Sequence, residues 1–219
     1  MDRIDKLCAY LNPCETFADI GCDHGYCTLY VLKNNLAKHA YIADISEKCL
    51  KKAENLLRDY IEKGRVTPVC CDGLQGIPDC DEALIAGMGG EEIISILKRA
   101  YIPENFVFQP MKNVADLRRY LLDCGAEITR DEVFESGGKY YFVLCGKREG
   151  KSVYTEAQLE YGKGDINGAL GGYLREEIAK KRQYLERGLS RDSRLEIERQ
   201  IKQMAAVLKG EINRAIGPS

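Results

Sequence analysis

Only two histidines, His24 and His39, occur in 219 residues, and none of the ten cysteines stands in a Cys-x-x-Cys pair. Structural zinc sites are built from cysteines and histidines at such short spacings, so no metal is expected. No stretch approaches the roughly 20 apolar residues that a bilayer-spanning helix needs, so no membrane association is expected either. Met1-Asp2-Arg3-Ile4-Asp5-Lys6 leads into no long apolar run, which argues against a secretory signal. The expectation is a cytoplasmic protein with reduced thiols, most of its cysteines acting as small buried hydrophobes. A charge excess of one sign is missing as well. With 32 Lys/Arg against 34 Asp/Glu the net charge is −2, and 45% of residues are hydrophobic. That balance excludes a disordered chain and a uniformly basic nucleic-acid binder.

Such a length holds one full-size core plus a small appendage. The charge divides the same way: residues 1–150 carry 19 Lys/Arg against 24 Asp/Glu, and residues 151–219 carry 13 against 10. The later segment is therefore the better candidate for contact with a polyanion.

Short β-branched runs alternate with helical patterns, which predicts a parallel sheet with crossover helices. A helix over about 2–11 precedes strand 16–20 and helix 25–35. Strand 40–44 follows, then a helix from Ser46, a serviceable N-cap, to about Arg58. Strands 66–70, 82–86 and 105–109 come next, with helices carrying Ile93, Ile94 and Leu97, and then Val114, Leu117, Leu121 and Leu122. Pro110 is expected to stop its strand because proline cannot donate to the ladder. Residues 127–134 and 139–147 flank Ser136-Gly137-Gly138 and read as a β-hairpin. Five parallel units closed by an antiparallel hairpin describe a Rossmann-like α/β fold, the seven-stranded mixed sheet of class I methyltransferases. The glycine-rich stretch 150–172 reads as a connector. Two charged helices follow, one over about 171–189 with the stripe Leu174, Ile178, Lys181 and Leu185. The other spans about 192–212 with Ile197, Ile201, Met204, Leu208 and Ile212, together an antiparallel coiled-coil hairpin. The division expected is a catalytic domain at 1–150 and a linker with hairpin at 151–219.

Two glycine-punctuated turns locate a site: Asp19-Ile-Gly-Cys-Asp-His-Gly-Tyr26 and Ile85-Ala-Gly-Met-Gly-Gly90. A strand that ends in Asp-x-Gly and enters a helix sets backbone N–H groups beside a cofactor. A dinucleotide fingerprint would place glycine where Asp23 stands, and a carboxylate there repels a pyrophosphate. Asp19 and Asp23 instead suit the sulfonium and amino groups of S-adenosylmethionine.

These blocks, with Tyr41-Ile-Ala-Asp-Ile-Ser46, Cys71-Asp-Gly-Leu74, Phe108-Gln-Pro110, Asp131-Glu-Val133 and Gly138-Lys-Tyr-Tyr-Phe-Val-Leu144, resemble the bacterial TrmK family in order and over essentially the whole chain. The Ile-Ala-Gly-Met-Gly-Gly block is the most specific, since related enzymes usually carry an Asn/Asp-Pro-Pro-aromatic loop there. Cys22, Gly25 and Met111 depart from the family pattern, which has Ser, Ala and Asn at those places. The resemblance implies an S-adenosylmethionine-dependent methyltransferase acting on N1 of adenine 22 in tRNA; the sequence leaves the oligomeric state open, with a monomer favoured. It implies that Asp19 and Gly21 cradle the methionine portion, that Asp44 with Ile45 takes the ribose, and that Asp72, Gly73 and Leu74 take the adenine. Gly87 and Met88 complete the cofactor set, and the glycines at 87, 89 and 90 leave room for a flat base. Asp23 is the leading acceptor for the amine of the target base, beside backbone carbonyls of Ala86–Gly89. His24, Tyr26 and Gln109 are further catalytic candidates; Asn113 is a substitute for the missing Asn at 111. Arg175, Lys180, Lys181, Arg182, Arg187 and Arg191, followed by Arg194, Arg199 and Lys202, would grip the RNA backbone. Plainer readings stand beside these: Asp19 as a helix cap, Asp44 as a first-turn acid, Asp72 as an ordinary turn residue, His24 as structural, the hairpin charges as a solvated face. An NAD-dependent oxidoreductase, a silent RNA-binding module and a methyltransferase with another acceptor are the rival functions.

Overall fold

The computed structural model describes residues 3–210. Its first helix, α1 (Arg3–Cys8), packs Leu7 and Cys8 onto the sheet. The parallel strands are β1 (Cys14–Ile20), β2 (Ala37–Asp44), β3 (Val66–Cys70), β4 (Glu82–Met88) and β5 (Asn105–Pro110). The crossovers are α2 (Tyr26–Lys33), α3 (Glu47–Leu56) with α4 (Arg58–Glu62), α5 (Gly90–Arg99) and α6 (Val114–Asp123). The antiparallel pair β6 (Glu127–Ser136) and β7 (Lys139–Lys147) closes a seven-stranded sheet in the order β3-β2-β1-β4-β5-β7-β6. Five parallel strands closed by an antiparallel hairpin form the seven-stranded mixed sheet expected from the sequence. Ser46 caps α3 as expected, its hydroxyl accepting from the Cys49 N–H at 3.4 Å.

The central strands are apolar on both faces because helices cover both. Phe17, Ile42, Leu84 and Val107 face one layer with α1, α2 and α3. Ile20, Ile85, Phe106 and Phe108 face the other, against Ile93 and Leu97 of α5 and Leu117 and Leu121 of α6. Pro110 does not stop its strand short. A bulge at Gly87 shifts the register so that Pro110 pairs with Met88, and the Met111 N–H donates to Met88 O at 2.8 Å. The missing proline donor falls where the ladder is already interrupted.

The connector is more structured than its glycines suggest. It contains α7 (Glu156–Tyr161), started by a capping box between Thr155 and Gln158. Beneath it Arg118 is fully buried and holds Asp131 through two bonds of 2.9 and 3.0 Å, while also donating to the carbonyls of Leu159 and Glu160. Two long helices follow, α8 (Ala169–Leu185) and α9 (Arg191–Leu208). They run antiparallel, with Lys181 donating to Gln200 and Arg194 to the carbonyl of Leu185. Their seam is tightest at the base, where Leu170, Leu174, Ile178, Met204 and Val207 pack with Tyr161 against Val133 and Phe142 of the sheet. Lys181 and Leu185 follow this stripe outward; Ile212 lies outside the described residues. Of the ten cysteines, all free, four are buried, four half-buried and two exposed.

Candidate active site

From β1 the chain proceeds outward to β2 and β3, then returns to place β4 and β5 on the other side. Crossovers that diverge in this way open a crevice beyond the carboxyl ends of the central strands. A cleft of about 410 Å³ lies there. It gathers Asp19, Gly21, Cys22 and Asp23 from the β1 turn, Asp44 and Ile45 from β2, Asp72 and Gly73 from beyond β3, and Gly87 and Met88 from β4. Four turns separated by many residues in sequence thus line one cavity.

Asp19 is buried and accepts from the Thr28 hydroxyl at 2.7 Å. Burial pushes its carboxyl up to about 6; the bonds from Thr28 oppose that rise and the nearby Asp44 charge adds to it. Asp44 accepts from the backbone N–H of Ser46 at 2.8 Å and of Asp23 at 3.3 Å. Those two contacts use one oxygen each and leave lone pairs for a pair of hydroxyls. Asp72 is gripped by both terminal nitrogens of Arg99, at 2.6 and 3.0 Å. Gly21 has φ of +71°, a left-handed conformation that favours glycine, and a Cβ there would displace the Met88 methyl 2.2 Å away.

Several expected residues stand elsewhere. Leu74 is buried in the core under the cleft. Two partners of Asp23 lie on the β2–α3 side, Asp44 accepting from its N–H and Lys52 Nζ 3.2 Å from its carboxylate, while the adjacent His24 Nε2 is 3.7 Å away. Burial raises the Asp23 carboxyl, but the Lys52 bond and the His24 and Lys52 charges outweigh it and hold it below the usual range. Asp23, the expected acceptor for the target base, thus lines the cleft with its N–H on Asp44 and its carboxylate beside Lys52. His24 and Tyr26 stack at the rim, ring centres 5.6 Å apart, and Tyr26 lines a separate groove with Tyr30 and Lys33. Gln109 is fully buried, with its oxygen accepting from Arg3 at 2.6 Å and its nitrogen donating to Pro110 O at 3.1 Å and Met111 Sδ at 3.4 Å. It lines a neighbouring groove with Met111, Lys112 and the aromatic rings of Tyr140, Tyr141, Phe142 and Tyr173. Asn113 is tied to Glu91 at 2.5 Å. Gly90 does not open the cleft: a Cβ there would lie 2.2 Å from Asn113 O, so this glycine serves the packing of α5 on the loop after β5.

Arg3, Lys52, Arg99 and Glu92 were not singled out from the sequence. Arg3 is 106 residues from Gln109, and no local pattern signals such a contact. On the hairpin, Lys180 pairs with Glu177 at 2.8 Å and Arg199 with Glu196 at 2.7 Å, while Arg187 lies over the Tyr184 ring. Arg182 and Arg191 make no ion pair among the described residues; burial and the Glu176 and Glu135 charges raise the Tyr140 phenol, and the Arg175 charge opposes that rise.

No group of three or more histidine, cysteine or acidic side chains suited to a metal occurs among the described residues, and no helix there is long and apolar enough to cross a membrane. Residues 1–144 match the family described as a methyltransferase domain. A putative tRNA methyltransferase of Mycoplasma pneumoniae is 33% identical over 160 residues, covering 70% of this chain and 74% of that protein. The tRNA (adenine(22)-N(1))-methyltransferase of Bacillus subtilis is 27% identical over 151 residues, covering 66% and 63%. The structure of M. capricolum TrmK with S-adenosyl-homocysteine superposes with a TM-score of 0.86 at 24% identity, covering 94% of this chain and 96% of that one. The sheet order, the acidic crevice and these likenesses agree: the chain belongs to the methyltransferase-domain family.

Proposed function

We infer that the chain is an S-adenosylmethionine-dependent methyltransferase that acts on N1 of adenine 22 in tRNA. The single observation that carries the cofactor is the series of carboxylates at successive strand ends: Asp72 after β3, Asp44 at β2 and Asp19 at β1, all in one cleft. That row of acceptors fits an adenine amine, two ribose hydroxyls and an ammonium group in turn, and it repels a pyrophosphate. The adenine position itself follows the relative in Bacillus subtilis.

When bound, S-adenosylmethionine supplies an electrophilic methyl on a sulfonium. The adenine N1 lone pair lies in the ring plane, so the chain needs no strong base to start the reaction. What the chain must do is align the two partners and tolerate positive charge arriving on the base. Asp44 and Asp72 fix the adenosine end. The turn at Ala86–Gly89 borders the cleft where the base must enter, and its carbonyls can accept from the N6 amine as that amine becomes more acidic. Lys52 holds Asp23, whose N–H in turn props Asp44.

Residues 1–150 form the catalytic part in this reading, and α8–α9 guide the RNA, with Arg175, Arg182 and Arg191 as the cations best placed to meet phosphate. Incubating the protein with labelled S-adenosylmethionine and an unmodified tRNA bearing adenine at position 22 should yield N1-methyladenine there by mass spectrometry. No methyl on that nucleotide refutes the reading. Replacing Arg182 and Arg191 by alanine should lower the slope of tRNA affinity against salt by about one per residue removed, with cofactor affinity unchanged. An unaltered slope removes the hairpin from the interface.

A further inference from the structure

A second groove lies beside the cofactor cleft. It holds about 460 Å³, enough to enclose a small organic group, and it joins three parts of the fold: Met111 and Lys112 beyond β5, Tyr140 and Phe142 of β7, and Tyr173 of α8. Gly87 and Met88 line the cofactor cleft, and the Met111 N–H donates to Met88 O at 2.8 Å, so the two cavities meet across the β4–β5 pair. Paired strands lie roughly 4.8 Å apart, and successive nucleotides of one RNA strand can span that distance. The rings of the groove differ in what their faces already meet. Tyr141 stacks on Phe134 with ring centres 5.3 Å apart, and the Arg118 guanidinium lies 5.4 Å over the Phe142 ring. Tyr173 meets Phe142 at 89° and Tyr140 at 72°, and neither tyrosine has a parallel ring partner among the described residues. Gly172 leaves room for the Tyr140 hydroxyl, which a Cβ there would displace from 2.4 Å away. Met111, more than half exposed, adds a flexible apolar edge.

Resting on the tRNA reading above, we infer that this groove seats the base of a nucleotide next to adenine 22, stacked on Tyr140 and Tyr173, while the adenine itself enters at the Ala86–Gly89 turn. Drawing the target out of its stack strips a neighbouring base of one stacked face, and an aromatic ring restores that contact whatever the base. The charges of the groove suit a nucleotide. Lys112 makes no ion pair among the described residues, and its stem crosses the cleft turn, where a Cβ on Gly89 would lie 3.0 Å from its Cε. Its ammonium can therefore meet the phosphate that joins the two nucleotides. Asp116 and Glu160, also in the lining, can accept from base amines. Because Tyr173 belongs to α8, the groove ties the hairpin to the place of reaction.

The test uses the full chain and two tRNAs that keep adenine 22 and carry the fluorescent base 2-aminopurine at nucleotide 21 or 23. With S-adenosyl-homocysteine present and the protein saturating, one of the two probes should be quenched by stacking. Tyr173→Leu and, from the sheet side, Tyr140→Leu should each lose that quenching and raise KM for tRNA by about fivefold to fiftyfold, whereas the Tyr→Phe variants keep the ring and stay within about twofold. Unchanged affinity for S-adenosyl-homocysteine in calorimetry shows that each variant retains a folded catalytic domain. A probe that stays quenched in both leucine variants, or phenylalanine variants as impaired as the leucine ones, overturns the stacking assignment. Methylation of adenine 22 by the unaltered chain with neither probe responding refutes the groove alone. If that chain leaves adenine 22 unmethylated, the tRNA reading itself falls, and the groove assignment with it.

Discussion

Asp19→Asn should make the free protein more stable near neutral pH while removing most of its affinity for the cofactor. The carboxyl is buried, and its pKa rises from 3.8 to about 6. A raised pKa means that the folded state binds the proton more tightly than the unfolded chain, so ionisation opposes folding. The cost is absent below 3.8, grows between 3.8 and about 6, and is complete above that. At 1.36 kcal/mol per pH unit the difference is about 3 kcal/mol, and local relaxation brings the expected gain to about 1–3 kcal/mol. Asparagine is nearly isosteric, and its oxygen can still accept from the Thr28 hydroxyl, so the substitution removes the charge and keeps the bond. Urea unfolding of both proteins at about pH 4 and about pH 8 reads the effect, which should appear only at the higher value. Calorimetry with S-adenosyl-homocysteine reads the other half: affinity of the unaltered chain should fall as pH drops through about 6, and the variant should bind weakly at every pH. A variant no more stable at about pH 8 than its parent, or one that keeps cofactor affinity, refutes the view that Asp19 holds a stored charge for a cationic ligand.

Asp44→Ala should weaken cofactor binding about tenfold to a hundredfold through the lost ribose acceptors. Asp23→Asn should act in the same direction but more weakly, because the Asp23 N–H that props Asp44 survives; a loss confined to kcat would instead return Asp23 to the base. Arg118→Ala should destabilise the fold by about 3–5 kcal/mol in denaturant unfolding, since it strands Asp131 in the interior. Replacing Arg118 and Asp131 together by apolar residues should recover much of that stability, and a double variant as unstable as the single one counts against the account.

The layers of the fold were legible because each central strand and its crossover helix carries its own period. β1 to β5, the hairpin β6–β7 and the long helices α8 and α9 all lie where apolar patterning places them. What patterning missed are features fixed by contacts between distant residues. α7 is a single turn and a half within a glycine-rich stretch, and it is held by Arg118 from 41 residues away. The bulge at Gly87 that lets Pro110 stay in the sheet depends on the pairing of two strands, and neither strand announces it alone. The cleft carboxylates were visible for the opposite reason: each ends its strand, and strand ends converge in this topology whatever lies between them.

Asp23 shows where that logic stops. Motif position says which loop a residue belongs to but not which wall of the cleft its side chain meets. Asp23 adopts φ of 44°, the left-handed region, and this conformation brings its N–H to Asp44 and its carboxylate to Lys52 on α3. Lys52 competes for that carboxylate from 3.2 Å away, so other acceptors on the cleft can share the duty of meeting positive charge on a base. The bulged turn at the end of β4 offers backbone acceptors on the same cleft. Within it, Met88 O already accepts from the Met111 N–H and Gly89 O from the Ile93 N–H, while Gly87 falls at the register shift with β5 and lines the cofactor cleft. Backbone carbonyls suit that duty because they stabilise a forming cation without carrying a full charge that would bind the product as tightly as the transition state.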